Sequence, residues 1–227
     1  MTALILLPGL DGTGDLFAPL LRELSDNLKP IVVRYPAREP LGYRELGRLV
    51  LETLPSNGPF VVLGESFSGP VAVAVAAEAP ERFRGVVLCA SFVSSPMPLA
   101  KILSRLVGVA RYPLGCNNAL ASSVDGPIPV RRGAKPNVQR AGRGIGRSLA
   151  RASKSGVIDV SAELADIDLP MLYLQAIEDA AIPKAAAAKF AELARRGRVE
   201  AIVGPHFLLQ CAPSLAARAI ERFVRGL

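Results

Sequence analysis

The amino-acid sequence predicts an α/β fold, with a mainly parallel sheet of about six strands and helices on both faces. The first indication is a set of short runs that are apolar throughout, as in strands covered on both faces of a parallel sheet. The second is that segments with helical spacing of apolar residues separate these runs. The length of 227 residues, half of them apolar, fits one compact domain.

Four apolar runs alternate with helix-like segments in the first part of the chain. The predicted strands are residues 3–9, 30–36, 60–64 and 85–93. The predicted helices between them are residues 15–28, 45–54 and 70–79. Because strands that are joined through helices run parallel, we expect the carboxyl ends of these strands at one edge of the sheet.

The same alternation returns in the last third of the chain. Residues 169–177 and 198–204 are predicted strands. Between them, Pro183 opens an alanine-rich helix that ends at Gly197. A final helix follows the second of these strands, and Ser214 is its expected N-cap.

Residues 94–165 interrupt the pattern. Their centre is rich in Gly, Pro, Arg and Ser, and so long an irregular stretch is uncommon inside a compact domain. We therefore expect a cap-like insertion over the carboxyl edge of the sheet, within one domain of residues 1–227. Eight Lys and Arg residues and no acidic residue lie between Arg131 and Lys154. No aromatic residue accompanies this basic tract, so a solvated surface is favoured over nucleic-acid binding.

Composition argues against several other classes of protein. The apolar run at the N-terminus is too short for a signal peptide, and no run approaches the ~20 residues of a membrane span. Cys89, Cys116 and Cys211 are odd in number and lack metal-ligand spacing, so we expect neither a disulfide framework nor a metal site. A cytoplasmic protein without stable membrane insertion is the expectation. Oligomeric state is left open.

One short stretch, FVVLGESFSGP at residues 60–70, places Ser66 on a turn between a predicted strand and a predicted helix. In an open parallel sheet, ligands bind at the carboxyl ends of the strands, where this serine is expected. A serine hydroxyl is a weak nucleophile and needs a base within hydrogen-bond reach. Ser66 is therefore either a helix-capping residue or a nucleophile, depending on what the other strand ends supply.

Two further predicted strand ends supply a base and an acid. His206, the only histidine, follows the last predicted strand, and Asp179 follows the strand before it. Glu178 is the alternative acid and is expected to face solvent. An acid is needed to orient the imidazole and to stabilise the imidazolium. Three strand ends thus bring a serine, a histidine and an acid to one edge, which favours catalysis over capping.

Four segments, in this order, resemble the α/β-hydrolase superfamily, and its small esterase-like serine hydrolases in particular. They are LPGLDGTG at residues 7–14, GESFSG at 64–69, DAAIP at 179–183 and PHFLLQ at 205–210. The resemblance implies an α/β-hydrolase fold, a catalytic triad of Ser66, Asp179 and His206, and no metal or cofactor. It also implies an oxyanion hole formed by the backbone N–H groups of Phe67 and Leu10, with Asp11 as the alternative to Leu10.

One position departs from the usual pattern. The turn commonly reads G-x-S-x-G, whereas here Ser68 occupies the last position and Gly69 follows it. That position has to be small because the helix and the strand approach closely. Serine adds only one hydroxyl group, so we expect it to be tolerated.

The resemblance implies hydrolysis of carboxylic esters with small to medium acyl or aryl groups, through an acyl-enzyme on Ser66. Candidate substrate contacts are Asp11, Phe92, Met97 and Phe207. For Asp11 the alternative is a structural role, holding its loop through an Asx-type hydrogen bond. Two other functions stay open: acyl transfer by the same triad, and a non-enzymatic ligand-binding or receptor-like member of the fold.

Overall fold

The computed structural model describes residues 1–36, 39, 41–78, 81–95 and 158–227. Met97, the basic tract and most of the expected insertion at residues 94–165 lie outside this part of the chain. Within the described residues, every helix is too short or too polar to cross a membrane.

Six strands form one sheet. They are β1 (Thr2–Leu7), β2 (Leu28–Val32), β3 (Phe60–Glu65), β4 (Phe83–Cys89), β5 (Met171–Ala176) and β6 (Gly197–Ile202). Their order is β2-β1-β3-β4-β5-β6, and every neighbouring pair is parallel. The predicted fold class is thus confirmed, and all six carboxyl ends lie at one edge.

Helices cover both faces of this sheet. They are α1 (Ala18–Glu23), α2 (Tyr43–Thr53), α3 (Gly69–Ala77), α4 (Ser161–Asp166), α5 (Ala185–Leu193), α6 (Leu208–Cys211) and α7 (Pro213–Arg225). Short 3₁₀ turns, Asp15–Phe17 and Ser66–Ser68, precede α1 and α3.

Alternate residues of β3 enter two separate hydrophobic cores. Val62 packs with the cluster that includes residues of α2, α3, α4 and α5. Val61 and Leu63 pack with the cluster that includes residues of α1, α6 and α7. Because both faces are covered, β3 is buried at all six positions, which explains why its sequence is apolar rather than alternating.

Two strands, β2 and β4, end four residues before the end of the predicted apolar run. The run at residues 85–93 leaves the sheet after Cys89, because the next residue, Ala90, has a φ of 46°, which no strand accommodates. The run at residues 30–36 forms β2 only as far as Val32. Tyr35 instead donates its N–H to the carbonyl of Gly12, 2.9 Å away, in the loop after β1.

The prediction that Ser214 caps the last helix is wrong. The N-cap of α7 is Ala212, because Pro213 occupies the first helical position, where its missing N–H costs nothing. Ser214 lies in the first turn and donates its hydroxyl to Glu23 Oε2 at 2.7 Å, which ties α7 to α1. The short helix α6, before it, was also not predicted.

The cysteines differ from expectation in one respect. Cys89 is a buried free thiol, and burial raises its pKa well above the ordinary value. Cys211, by contrast, is disulfide-bonded, which the number and spacing of the cysteines did not predict.

Candidate active site

Ser66 lies on a sharp turn between β3 and α3. Its backbone has a φ of 50°, in the left-handed region that costs an ordinary residue about 1–2 kcal/mol. Two glycines make the turn possible. A Cβ at Gly64 would lie 2.5 Å from the carbonyl oxygen of Ser68, and one at Gly69 would lie 2.8 Å from Ser91 Cβ. The turn therefore holds Ser66 in a strained conformation that the surrounding packing maintains.

The side chains of Ser66, His206 and Asp179 form a hydrogen-bonded series. Ser66 Oγ lies 2.8 Å from His206 Nε2, and His206 Nδ1 lies 2.8 Å from Asp179 Oδ2 and 3.0 Å from Oδ1. Because an ionised carboxylate only accepts, Nδ1 carries the proton and Nε2 accepts from the serine hydroxyl. The structure thus brings together all three residues that the sequence singled out, on the loops after β3, β5 and β6.

The Asp179 carboxylate is held in place by its own turn. Oδ1 accepts the backbone N–H groups of Ala181 at 2.7 Å and Ile182 at 2.8 Å. Its side chain is 6% exposed and that of His206 is 3% exposed, so water is largely excluded from this pair. Glu178, the alternative acid, is exposed and makes no such contact among the described residues.

A second support of the turn was not predicted. Ser91 Oγ donates to the carbonyl of Ser66 at 2.6 Å, and the hydroxyl of Tyr173 donates to the carbonyl of Ser91 at 2.5 Å. Ser91 lies in the run that was predicted to be strand, next to the left-handed Ala90. No local pattern marks this contact, because it joins residues of three different segments.

The loop after β1 approaches the nucleophile closely. A Cβ at Gly9 would lie 3.9 Å from Ser66 Cβ. Leu10 and Asp11 are the central residues of a turn in which Gly12 donates its N–H to the carbonyl of Gly9 at 3.1 Å. The turn at residues 9–12 therefore lies against Ser66.

The Asp11 carboxylate is engaged within this loop. Oδ2 accepts the backbone N–H of Thr13 at 3.1 Å and also the Thr13 hydroxyl. This is the Asx-type contact that the sequence offered as the alternative to a substrate contact. Burial raises the pKa of Asp11 above its ordinary value, with the Thr13 hydrogen bonds opposing that effect.

Glu65, directly before the nucleophile, is a buried carboxyl that the sequence did not single out. Its Oε1 accepts from Gln210 Nε2 at 2.9 Å, and it also accepts the backbone N–H of Gly9. Desolvation raises the pKa of Glu65 to about 7, and the charge of Asp11 adds to that effect. The Gln210 hydrogen bond, the charge of His206 and the Gly9 N–H oppose it. Glu65 thus links three segments of the site through one side chain.

Apolar side chains lie near the nucleophile. Phe67 is buried, and its ring centroid lies 4.6 Å from that of Tyr43. Phe92 belongs to a small core cluster against which Leu10 and Tyr43 also pack. Phe207 meets the imidazole of His206 edge to face, with ring centroids 5.7 Å apart. Of the four predicted substrate contacts, only Met97 lies outside the described residues.

A metal centre is not indicated by the described part of the chain, where no group of three or more His, Cys, Asp or Glu side chains is arranged to hold an ion.

Solved structures share this architecture along nearly the whole chain. An esterase from Exiguobacterium antarcticum superposes with a TM-score of 0.77 at 14% identity, covering 99% of this chain and 92% of that one. A carboxylesterase from Bacillus subtilis gives 0.71 at 16%, covering 100% and 84%. An enol-lactonase from Burkholderia xenovorans LB400 gives 0.69 at 17%, covering 99% and 91%. At these identities the likeness establishes the fold, which is the α/β-hydrolase fold.

The sequence assigns the family. Residues 45–208 match the family described as serine aminopeptidase, S33, and this match spans Ser66, Asp179 and His206. The chain belongs to that family and is a serine hydrolase of the α/β fold. No curated protein sequence matches the chain significantly.

Proposed function

We propose that this chain hydrolyses carboxylic esters, without a cofactor, through an acyl-enzyme on Ser66. The observation that carries the proposal is the hydrogen-bonded series from Ser66 Oγ through the imidazole of His206 to Asp179. A serine hydroxyl becomes an effective nucleophile when a positioned base removes its proton and a third group orients that base. The distances between these three side chains at one edge of the sheet support such roles for them.

In the first half-reaction, Ser66 Oγ attacks the ester carbonyl carbon while His206 Nε2 takes the hydroxyl proton. The tetrahedral intermediate collapses, the bond to the alcohol oxygen breaks, and His206 returns the proton to that oxygen. In the second half-reaction, His206 takes a proton from water, which attacks the acyl carbon. The bond between this carbon and Ser66 Oγ then breaks, His206 returns its proton to Oγ, and the carboxylic acid leaves. Asp179 stabilises the imidazolium that forms in each half-reaction.

The backbone N–H groups of Phe67 and Leu10 are proposed to bind the oxyanion of the tetrahedral intermediates. Support comes from the close approach of the Gly9–Gly12 turn to Ser66, since a Cβ at Gly9 would lie 3.9 Å from Ser66 Cβ. Donors of this kind are already in position when charge develops, and loss of one typically costs about 3 kcal/mol of barrier.

Acyl or aryl esters of small to medium size are the proposed substrates. The apolar side chains of Leu10, Phe67, Phe92 and Phe207 lie near the nucleophile. An apolar wall of this kind binds hydrocarbon groups through the area that it removes from water. The esterase and lactonase activities named for two of the similar structures concern ester bonds and agree with this choice.

A single domain with an insertion at residues 94–165 remains our proposal for the chain's organisation. Its support is that the described ends of that segment meet. Ser95 donates its N–H to the carbonyl of Ile158 at 2.7 Å, and Val160 donates to that of Val93 at 2.9 Å. The chain therefore leaves and returns at one point, beside Phe92 and the carboxyl end of β4.

Steady-state turnover of p-nitrophenyl esters of graded acyl length tests the proposal. We expect multiple turnovers in the wild type, their loss in Ser66→Ala and in His206→Ala, and an optimum at short or medium chains. Activity that survives in Ser66→Ala contradicts the assignment of the nucleophile. Binding of the esters without turnover favours the ligand-binding alternative, and ester products formed with added alcohol favour acyl transfer.

Amide hydrolysis is a second candidate, favoured by the aminopeptidase description of the matched family. Aminoacyl p-nitroanilides measured with the same variants separate the two activities. Multiple turnovers of the anilides that are lost in Ser66→Ala assign peptide-bond chemistry to the chain, whereas turnover of esters alone supports the first proposal.

A further inference from the structure

The hydroxyl of Ser68 makes two buried hydrogen bonds next to the nucleophile. Ser68 is fully buried. Its Oγ donates to the carbonyl of Pro8 and lies 2.6 Å from the hydroxyl of Tyr35. Because Ser68 has one hydroxyl proton, which goes to Pro8, the Tyr35 hydroxyl is the donor in the second bond. Glycine, the usual residue at this position of the turn, makes neither bond.

These two bonds join the nucleophile turn to both sides of the loop after β1. Pro8 begins that loop, and its carbonyl accepts from Ser68. Gly12 lies beyond the turn at residues 10 and 11, and its carbonyl accepts the backbone N–H of Tyr35 at 2.9 Å. Tyr35 therefore contacts the loop through its backbone and holds Ser68 through its hydroxyl. The residues between Pro8 and Gly12 include Leu10, a proposed oxyanion donor.

We propose that Ser68 is a positioning residue that holds the loop Pro8–Gly12, and with it the backbone donors of the oxyanion hole, against Ser66. The inference rests on the proposed function and deepens it. Ser68 does not touch the substrate; it acts through the Pro8 carbonyl. The expectation that the serine is merely tolerated is replaced by a structural role for its hydroxyl.

Loss of the Ser68 hydroxyl is expected to weaken the stabilisation of the transition state. The oxyanion forms only after attack on the carbonyl, so a displaced donor loop weakens binding of the intermediate more than binding of the ester. A misplacement of about 1 Å can lower a rate by about 100-fold. We expect Ser68→Ala to lower kcat by about 10- to 100-fold with KM changed less than about threefold.

The affinity of an inhibitor that forms an oxyanion distinguishes a positioning role of Ser68 from a general contribution to folding. Ser66 Oγ can add to the carbonyl carbon of an alkyl trifluoromethyl ketone. The adduct carries an oxyanion but has no leaving group, so the reaction stops at this stage. Its affinity for Ser68→Ala and for Ser68→Gly is expected to fall by the same factor as kcat/KM. Ser161→Ala is the matched control, because its Oγ is also buried and lies outside the site. Both its kcat and its ketone affinity are expected to equal those of the wild type.

Tyr35→Phe provides a second variant in case Ser68→Ala does not fold. It removes the donor to Ser68 and keeps the bond to Pro8, so a smaller loss of kcat is expected. In the double variant the losses are expected to be less than additive, because both changes disrupt one network.

The outcomes separate this inference from the proposed function. Wild-type protein that neither turns over esters nor binds the ketone overturns both. Turnover that requires Ser66, together with a Ser68→Ala variant equal to wild type in kcat and ketone affinity, overturns only the role of Ser68. A folded Ser68→Ala variant with raised KM and unchanged kcat overturns it as well.

Discussion

Ser66 Oγ and His206 Nε2 lie 2.8 Å apart although 140 positions separate the two residues in the sequence. The contact follows from the topology of the sheet. Ser66 follows β3 and His206 follows β6, and parallel strands deliver their carboxyl ends to one edge. Asp179, after β5, completes the series from the same edge.

Asp179→Asn is expected to lower kcat by about 10³- to 10⁴-fold. An amide can donate to Nδ1, which favours the tautomer with its proton on Nε2, and the imidazolium loses its anionic partner. The exposed neighbour Glu178 offers a matched control, because Glu178→Gln removes an acid one position away without touching His206. Steady-state kinetics on one p-nitrophenyl ester compares the two. Equal losses in both variants, or a larger loss in Glu178→Gln, would contradict the assignment of the acid.

Glu65 is expected to make the stability of the protein depend on pH. Its ordinary pKa of 4.5 rises to about 7 on folding, mainly through desolvation. Between these values the folded protein keeps a proton that the unfolded chain has released. The stability that Glu65 contributes is therefore greatest below about pH 4.5 and is lost as the pH rises to about 7, by about 3 kcal/mol in all.

Glu65→Gln removes this titration and keeps an acceptor for Gln210. Urea unfolding between pH 5 and pH 8 is expected to show the variant gaining stability relative to wild type as the pH rises, with a plateau above about pH 7. Glu178→Gln, at an exposed acid, serves as the control and is expected to show no such trend. A difference between Glu65→Gln and wild type that stays constant over this range refutes the prediction.

The strained backbone of Ser66 predicts a difference between two inactive variants. Ser66→Ala and Ser66→Gly both remove Oγ, but only glycine adopts a φ of 50° at no steric cost. Ser66→Gly is therefore expected to be the more stable of the two by about 1 kcal/mol, in spite of its greater entropy in the unfolded chain. Thermal unfolding of both variants measures this difference. A more stable alanine variant would show that the turn carries no strain.

Replacement of two glycines by alanine is expected to change the stability of the protein in opposite directions. A Cβ at Gly64 would lie 2.5 Å from a backbone carbonyl, so Gly64→Ala is expected to destabilise the protein by about 2 kcal/mol or more. At Gly47, inside α2, a Cβ would meet no atom within 4 Å. Gly47→Ala is expected to stabilise by about 0.5–1 kcal/mol, because alanine favours the helix. Equal effects on the midpoint of urea unfolding would refute this reading of the turn.

The fold was predictable because the strands lie in mainly apolar runs that alternate with helical segments. The chemistry at the strand ends was predictable because a serine, an acid and the only histidine each follow a strand. Element ends were less predictable. Cys89 ends β4 where Ala90 turns into the left-handed region, and Pro213 rather than Ser214 sets the start of α7.

The hydrogen bonds that hold the site in place were not predicted, for a different reason. Ser91 donates to the Ser66 carbonyl, Tyr173 donates to the Ser91 carbonyl, and Gln210 donates to Glu65. All three contacts join residues that are distant in the chain. Ser68 stood out in the sequence only as a departure from a pattern. Such contacts leave no periodic signal, because they depend on how neighbouring loops meet at the edge of the sheet.

The most direct test of the central claim is to identify the residue that becomes acylated or phosphorylated. Diethyl p-nitrophenyl phosphate reacts with activated serines and leaves a stable phosphoryl group. Peptide mass spectrometry of the treated protein is expected to find one adduct, on Ser66, formed much more slowly in His206→Ala and not in Ser66→Ala. An adduct on another residue, or ester hydrolysis by protein that forms none, would contradict Ser66 as the nucleophile.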